Sequence, residues 1–320
     1  MVEKYISKGN RSTKAGFGEG ILDAGKQNNK LVVLGADITT SVGLNLFANA
    51  YHERFFSLGI AEQNCVGVAA GLALSGKIPV FSTYGVFAAL RTADHIRVSI
   101  CYNNLHVIIG GAHAGISVGP DGATHQALED IAVMRVMPYM TVLSPCDETQ
   151  AKLLTLLAVE KLAGPVYIRF GREPVPDFTS VDQNIEIGKG QEMSKGNDIA
   201  LIATGHMVWE ALQVAYKLHE NGIKARVINL HTIKPIDKDL IIKAAIETKR
   251  IITIEEHQIN AGFGSAVAEV IVQNYPVKMK MIGMNDCFGE SGKPDELMKK
   301  YKLSAEEIYK TVSQFIHDSN

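Results

Sequence analysis

The chain has 320 residues, 46% of them hydrophobic, and a formal net charge of -2. That is enough apolar material for a sizeable core and, at this length, for two compact domains. Lysines, arginines and carboxylates are interleaved, so there is neither a basic footprint for nucleic acid nor an acidic tail. The polar opening MVEKYISKGNR does not read as a signal peptide, and no run of about 18 apolar residues is available to span a bilayer. A reducing cytoplasm is therefore expected. The cysteines agree with it: Cys65, Cys101, Cys146 and Cys287 show no CxxC spacing. The first three lie beside apolar runs, which favours buried free thiols over disulfides or a metal site.

Short β-branched runs alternate with longer segments of helical period. Leu31 to Leu34, Ile78 to Phe81, His106 to Ile109, Thr141 to Leu143 and Val166 to Arg169 read as buried parallel strands. Helices are expected between and around them at 12–27, 62–75, 86–100, 125–136 and 148–161, the last N-capped by Asp147. The alternation predicts a doubly wound α/β domain over 1–175. The stretch REPVPDFTSVDQNIEIGKG then loses periodicity, and an interdomain linker is placed at 176–190. A second α/β domain over 191–320 is expected from strands near 199–203, 225–229, 250–254 and 278–282. Its helices fall near 206–221, 237–247 and 263–274. The closing helix at 303–316 should be capped by Ser304 and present Ile308, Val312 and Phe315 on one face.

Three segments carry possible chemistry. The segment 110–126, GGAHAGISVGPDGATHQ, follows a predicted strand, where open α/β sheets place their ligand crevice. It carries His113, Asp121, Thr124 and His125 among five glycines. Two imidazoles and a carboxylate can move protons at an alcohol or carbonyl near neutral pH, although solvated histidines on a tight loop fit the same composition. In SLGIAEQN at 57–64, Glu62 opens an almost wholly apolar helix, either as a charge favoured by the helix dipole or as a buried functional acid. In PVFSTYGVF at 79–87, Phe81, Tyr84 and Phe87 either fill core or offer a stacking surface for a flat heterocycle.

IAEQN followed by DGATHQ after a strand resembles the C-terminal half of transketolases, which contains the pyrimidine-binding domain and a smaller C-terminal domain. The resemblance covers essentially the whole chain. It implies that Glu62 hydrogen-bonds N1′ of the aminopyrimidine of thiamine diphosphate, with Tyr84 and Phe87 around the ring. A third family aromatic is replaced by Leu90. Asp37, in ADITTS, matches an aspartate near the thiazolium and the subunit contact. Asp121 and His125 match residues that contact sugar hydroxyls near the scissile bond, and Arg11, Ser41, His113 and Arg172 match those that hold the sugar phosphate.

The family binds its diphosphate and a divalent metal, Mg2+ or Ca2+, through a GDG motif followed about 25–30 residues later by NN. No GDG occurs in this sequence. The resemblance therefore implies a split enzyme whose separate N-terminal subunit carries the diphosphate and metal, in an α2β2 assembly with self-contact, acting on sugar phosphates. No metal ligands are expected on this chain. Deoxyxylulose-phosphate synthases share IAEQ but place an Asp-Arg pair where His113-Ala114 stands, so the histidine favours a transketolase. The β subunit of a 2-oxo-acid dehydrogenase E1 shares the layout but generally lacks DGxTHQ. A noncatalytic scaffold would have no need of Glu62. Of the remaining glycine motifs, GFGEG at 16–20 follows no strand. GFGSA at 262–266 reads as a tight strand-to-helix connection, and ITIEEH at 252–257 as a structural segment at a domain or subunit contact.

Overall fold

The protein, studied as a computed structural model, is described over residues 5–318; the first four residues of the polar opening lie outside that range. Two α/β units follow one another. The first is a seven-stranded sheet in the order Thr232–Lys234, Thr141–Leu143, Val166–Arg169, Ile108–Ala112, Ile78–Tyr84, Leu31–Gly35 and Phe55–Ser57. Its strands run parallel except Thr232–Lys234, which is contributed by the second half of the chain and pairs antiparallel with Thr141–Leu143. Every residue of Leu31–Gly35, Ile108–Ala112 and Val166–Arg169 is buried. That is why these runs are almost wholly apolar or small rather than alternating, the exception being Arg169, which is ion-paired: helices cover both faces of the sheet.

The second unit is a five-stranded sheet in the order Lys278–Met284, Arg250–Gln258, Ile199–Ala203, Ala225–Asn229 and Gln191–Ser194. The first four are parallel, and the last is an antiparallel edge. Gln191–Ser194 (QEMS) was not anticipated, since four residues without a β-branched side chain give no strand signal. The closing helix runs Ala305–His317, with Ile308, Val312 and Phe315 buried. Ser304 holds its N-cap position without a side-chain cap bond. Among the described residues no helix is long and apolar enough to cross a membrane.

GFGEG proves to be a packing device. It lies inside the Thr13–Gln27 helix, where a Cβ at Gly16 would sit 2.1 Å from the Glu148 carbonyl oxygen and one at Gly20 2.7 Å from Thr155 Cβ. The glycines let this helix approach the Glu148–Lys161 helix closely. Asp147 caps the latter as expected, accepting from Gln150 N at 2.8 Å, and it also accepts from Phe178 N and Thr179 N at 2.9 and 2.7 Å. Its carboxylate thus ties the 177–179 stretch to the first unit.

Two expected helices are altered. The 125–136 helix begins only at Asp130, because residues before it fold back in a bridge between Ala114 and Ala127. The 86–100 helix is wound with π-type turns at Phe87–Arg91 and Ile96–Cys101, a local geometry often found at functional sites. His106 also lies before its strand, which starts at Ile108.

ITIEEH sits in the contact between the two units. Asp130, fully buried, accepts from Tyr167 Oη at 2.8 Å and pairs with Arg169 Nε at 3.0 Å. Arg169 also donates to the Glu256 carbonyl at 2.7 Å. Glu255 accepts from Phe263 N and Gly264 N, each at 2.7 Å, so GFGSA closes a strand onto a helix around a carboxylate. Burial nevertheless pushes Glu255 up to about 7 and His257 down to about 4.

Candidate active site

The strand Ile108–Ala112 ends at the glycine-rich loop, and the first residue beyond it, His113, turns the chain with φ 55°. A non-glycine residue at positive φ is strained and persists only where its surroundings hold it. Here the His113 ring stacks on Tyr84, with centroids 4.2 Å and planes 19° apart. The side chain is buried, and its Nδ1 has no hydrogen-bond partner. Burial lowers the imidazole to about 4, assisted by the charge of Arg172 and opposed by Asp121. His113 is therefore a neutral ring near pH 7, able to donate or accept one hydrogen bond but not to supply a positive charge.

His125 closes the other side of the same aromatic wall. Its ring lies edge-on to Tyr84 at 5.1 Å and to Phe87 at 5.6 Å, and its Nδ1 meets Thr124 Oγ1 at 2.9 Å. Tyr84 and Phe87 are 5.7 Å apart and only half-buried, so they are not simply core. Phe81, by contrast, is fully buried. Asp121 pairs with Arg172 at 2.8 Å, both half-exposed, and Arg172 also reaches Glu173 at 3.3 Å. His113 and His125 thus meet at Tyr84, and the paired charges of Asp121 and Arg172 act on His113.

Glu62 is the first residue of the Glu62–Leu74 helix and makes no side-chain cap. Its buried carboxylate instead binds Arg91 Nη1 through Oε2 at 2.8 Å. The Arg91 guanidinium lies over the Phe87 ring at 4.2 Å, so the acid and the aromatic wall share one cation. A buried carboxylate beside half-buried aromatic faces fits the edge and face of an aminopyrimidine. Leu90 is half exposed. Among the described residues, no group of three or more His, Cys, Asp or Glu could hold a metal ion.

Three expected site residues lie further out. Arg11 turns its guanidinium to Glu19 at 2.6 Å and Glu148 at 3.2 Å. Asp37, exposed at φ 64°, and Ser41 lie on the turn beyond Leu31–Gly35. That turn packs at Gly43 against Lys14, whose charge acts on His113. Sequence reasoning missed Arg91 and Lys14. Arg91 had a signal, since it stands four residues after Phe87 in a helical segment, the spacing that brings side chains together.

The match to known proteins is extensive. The family model described as transketolase, pyrimidine binding domain, covers residues 10–177, and the transketolase C-terminal domain covers residues 188–308. A Methanocaldococcus jannaschii protein named as a transketolase C-terminal section is 43% identical over 307 residues, covering 95% of this chain and 96% of that one. A 6-deoxy-6-sulfo-D-fructose transketolase subunit from a Clostridium species is 37% identical, covering 94% and 93%. A 1-deoxy-D-xylulose-5-phosphate synthase of Desulfotalea psychrophila is 38% identical, but the match takes in only 47% of its length. Among solved structures, a split gene transketolase described as an inactive beta4 tetramer superposes with a TM-score of 0.89 at 44% identity, covering 96% of this chain and 98% of that one. The chain belongs to the transketolase family and contains its pyrimidine-binding and C-terminal domains.

Proposed function

We propose that this chain is the C-terminal subunit of a split, thiamine-diphosphate-dependent transketolase, transferring a two-carbon ketol unit from a ketose phosphate to an aldose phosphate. The observation that carries the reading is the grouping of Glu62, Tyr84, Phe87, His113 and His125 around one aromatic wall, with the charge of Asp121 acting on His113. A scaffold has no use for a buried acid beside a stacking surface.

Bound thiamine diphosphate would supply the nucleophilic carbon that cleaves the donor. The chain's own groups then have separable tasks. Glu62 has one oxygen committed to Arg91, so Oε1 is available to hold a proton at N1′ of the pyrimidine. Tyr84 and Phe87 flank the ring. His125 has Nδ1 engaged by Thr124, which leaves Nε2 to exchange a proton with the donor carbonyl or C1 hydroxyl. Asp121 orients the C2 hydroxyl of the aldose acceptor. Arg172 binds the sugar phosphate at the mouth, with Arg11, Ser41 and His113 as further contacts and Asp37 near the thiazolium.

The diphosphate and a divalent metal, Mg2+ or Ca2+, would be held by an N-terminal partner subunit in a cytoplasmic α2β2 assembly. Support comes from the Methanocaldococcus jannaschii relative, named as a transketolase C-terminal section and matched over 96% of its length, and from the description of the similar split-gene structure as an inactive β4 tetramer. The pentose phosphates are the first sugars to try, although the Clostridium relative is named for a sulfosugar. A second reading is a deoxyxylulose-phosphate synthase subunit, favoured by the 38% identity to that enzyme; His113 weighs against it.

The test mixes this chain with its N-terminal partner, thiamine diphosphate and magnesium, using xylulose 5-phosphate and ribose 5-phosphate. Transfer in the mixture and in neither chain alone supports the proposal. Full turnover by this chain alone refutes the split arrangement. A stable, cofactor-loaded complex that ignores ketose donors but consumes pyruvate favours the second reading.

A further inference from the structure

The glycine-rich loop belongs to the first unit, yet its middle is held by the second. Gln126 Nε2 donates to Ile116 O at 3.1 Å within the loop and to Glu290 O at 2.9 Å across the contact. A Cβ at Gly119 would lie 3.1 Å from Pro294, and one at Gly122 2.5 Å from Ser291 Oγ. The tightest grip comes from Glu256, in the strand Arg250–Gln258. Its Oε1 accepts from the Ser117 backbone N–H, and its Oε2 pairs with His206 Nδ1 at 3.2 Å. Gly115, at φ 86°, leaves room for that carboxylate: a Cβ there would stand 2.1 Å from Glu256 Cδ. Glu256 is itself fixed behind, because its carbonyl accepts from Arg169 at 2.7 Å.

His113, Gly115, Gly119 and Gly122 all take positive φ. A segment with so many glycines loses much backbone freedom on ordering, so its conformation must be imposed by contacts. Glu256 supplies a charge-assisted bond to a buried backbone N–H, among the stronger contacts available to a loop. Its other oxygen meets a histidine at the start of the Met207–Glu220 helix, so neither oxygen of the buried carboxylate is left alone.

We propose that Glu256, with His206 behind it, is a positioning residue for sugar binding. From the second unit it holds the 113–125 loop in the conformation that presents His113, Asp121 and His125 to the substrate. This rests on the transketolase reading above. It gives the C-terminal domain a part in substrate recognition without any contact to substrate.

The test combines hydrogen exchange of the full chain with kinetics of the assembled complex for Glu256→Ala, Glu256→Gln and His206→Ala. In Glu256→Ala, exchange at 115–122 should rise about tenfold to a hundredfold while the strands Ile108–Ala112 and Ile199–Ala203 keep their protection. The KM for both sugars should rise by a similar factor, with cofactor affinity held. Glu256→Gln retains an acceptor for Ser117 and should restore most of the loop protection and sugar KM; His206→Ala should lie between. Unchanged exchange and KM in Glu256→Ala would overturn the proposal. So would a fall in active fraction and melting temperature with KM unaltered, the signature of a merely structural contact. If Glu256→Ala does not fold, Glu256→Gln decides: loss of loop protection there contradicts the Ser117 assignment. Because exchange is read on the chain itself, it stands even if the wild-type complex transfers no ketol unit, and the two failures are distinguishable.

Discussion

Arg91 holds the buried Glu62 carboxylate at 2.8 Å while its guanidinium covers the Phe87 ring at 4.2 Å. The proposed proton-holding acid and the proposed ring-stacking wall are thereby locked to each other. Removing Arg91 alone leaves a buried carboxylate without its partner, whereas removing both charges does not. Because Arg91 is itself partly exposed, the coupling should be modest, about 1 kcal/mol. A double-mutant cycle over Arg91→Ala and Glu62→Ala, followed by denaturant unfolding of the chain, measures it. A coupling indistinguishable from zero would mean that the pair does not constrain Glu62.

At the mouth of the site, Arg172 is the cation that Asp121 holds at 2.8 Å. Replacing it with alanine should raise the KM for phosphorylated donors about tenfold to a hundredfold and leave the KM for the unphosphorylated sugar within about twofold. Equal effects on both sugars would remove Arg172 from phosphate recognition.

The buried Asp130–Arg169 pair holds the guanidinium that donates across the contact to the Glu256 carbonyl, and its loss should be costly. Asp130→Ala leaves the buried Arg169 charge without its carboxylate and the Tyr167 hydroxyl without its acceptor. It is expected to destabilise the chain by about 3–5 kcal/mol, read as a lower denaturant midpoint. A change below about 1 kcal/mol would show that the network is not holding the contact.

Buried histidines and buried carboxylates pull the pH dependence of stability in opposite directions. Burial depresses His113, His231 and His257 to about 4 from an ordinary value of 6.5. Between these values the unfolded chain binds protons that the folded chain refuses, so the three histidines stabilise the fold fully above 6.5 and progressively less towards 4. Glu255, raised to about 7 from 4.5, acts in the opposite sense: its contribution is present at low pH and is lost as pH rises from 4.5 through 7. Burial raises Glu129, Asp147, Glu148 and Glu210 in the same sense as Glu255, so the histidine contribution is read by difference. His231→Asn should lose less melting temperature between pH 6.5 and 4 than the wild-type chain. The same pH dependence in both would contradict the buried neutral state of His231.

Much of this was legible in the sequence, and the exceptions share a cause. Strands such as Leu31–Gly35 and Ile199–Ala203 announced themselves because a parallel sheet covered on both faces demands unbroken apolar runs. The 125–136 helix was read too long because its first residues are pinned by Ala114, twelve or more positions away, and tertiary pairing overrides local period. The strand Thr232–Lys234 joins the other unit's sheet, a long-range pairing that three residues cannot encode. At the site, local motifs revealed Glu62 and the loop carrying Asp121 and His125. Which charges meet was hidden: Arg11 turns to Glu19 and Glu148, and Arg91 turns to Glu62. Such pairings depend on where helices pack rather than on spacing along the chain.

The most direct test of the account is Glu62→Ala in the complex assembled with the N-terminal partner, thiamine diphosphate and magnesium. Assembly is measured by sedimentation and ketol transfer by turnover. The account predicts an intact complex whose turnover is lower by about a hundredfold to ten-thousandfold, the usual contribution of a positioned proton-transfer group. An intact complex that turns over at the wild-type rate would contradict it and leave this chain as a scaffold.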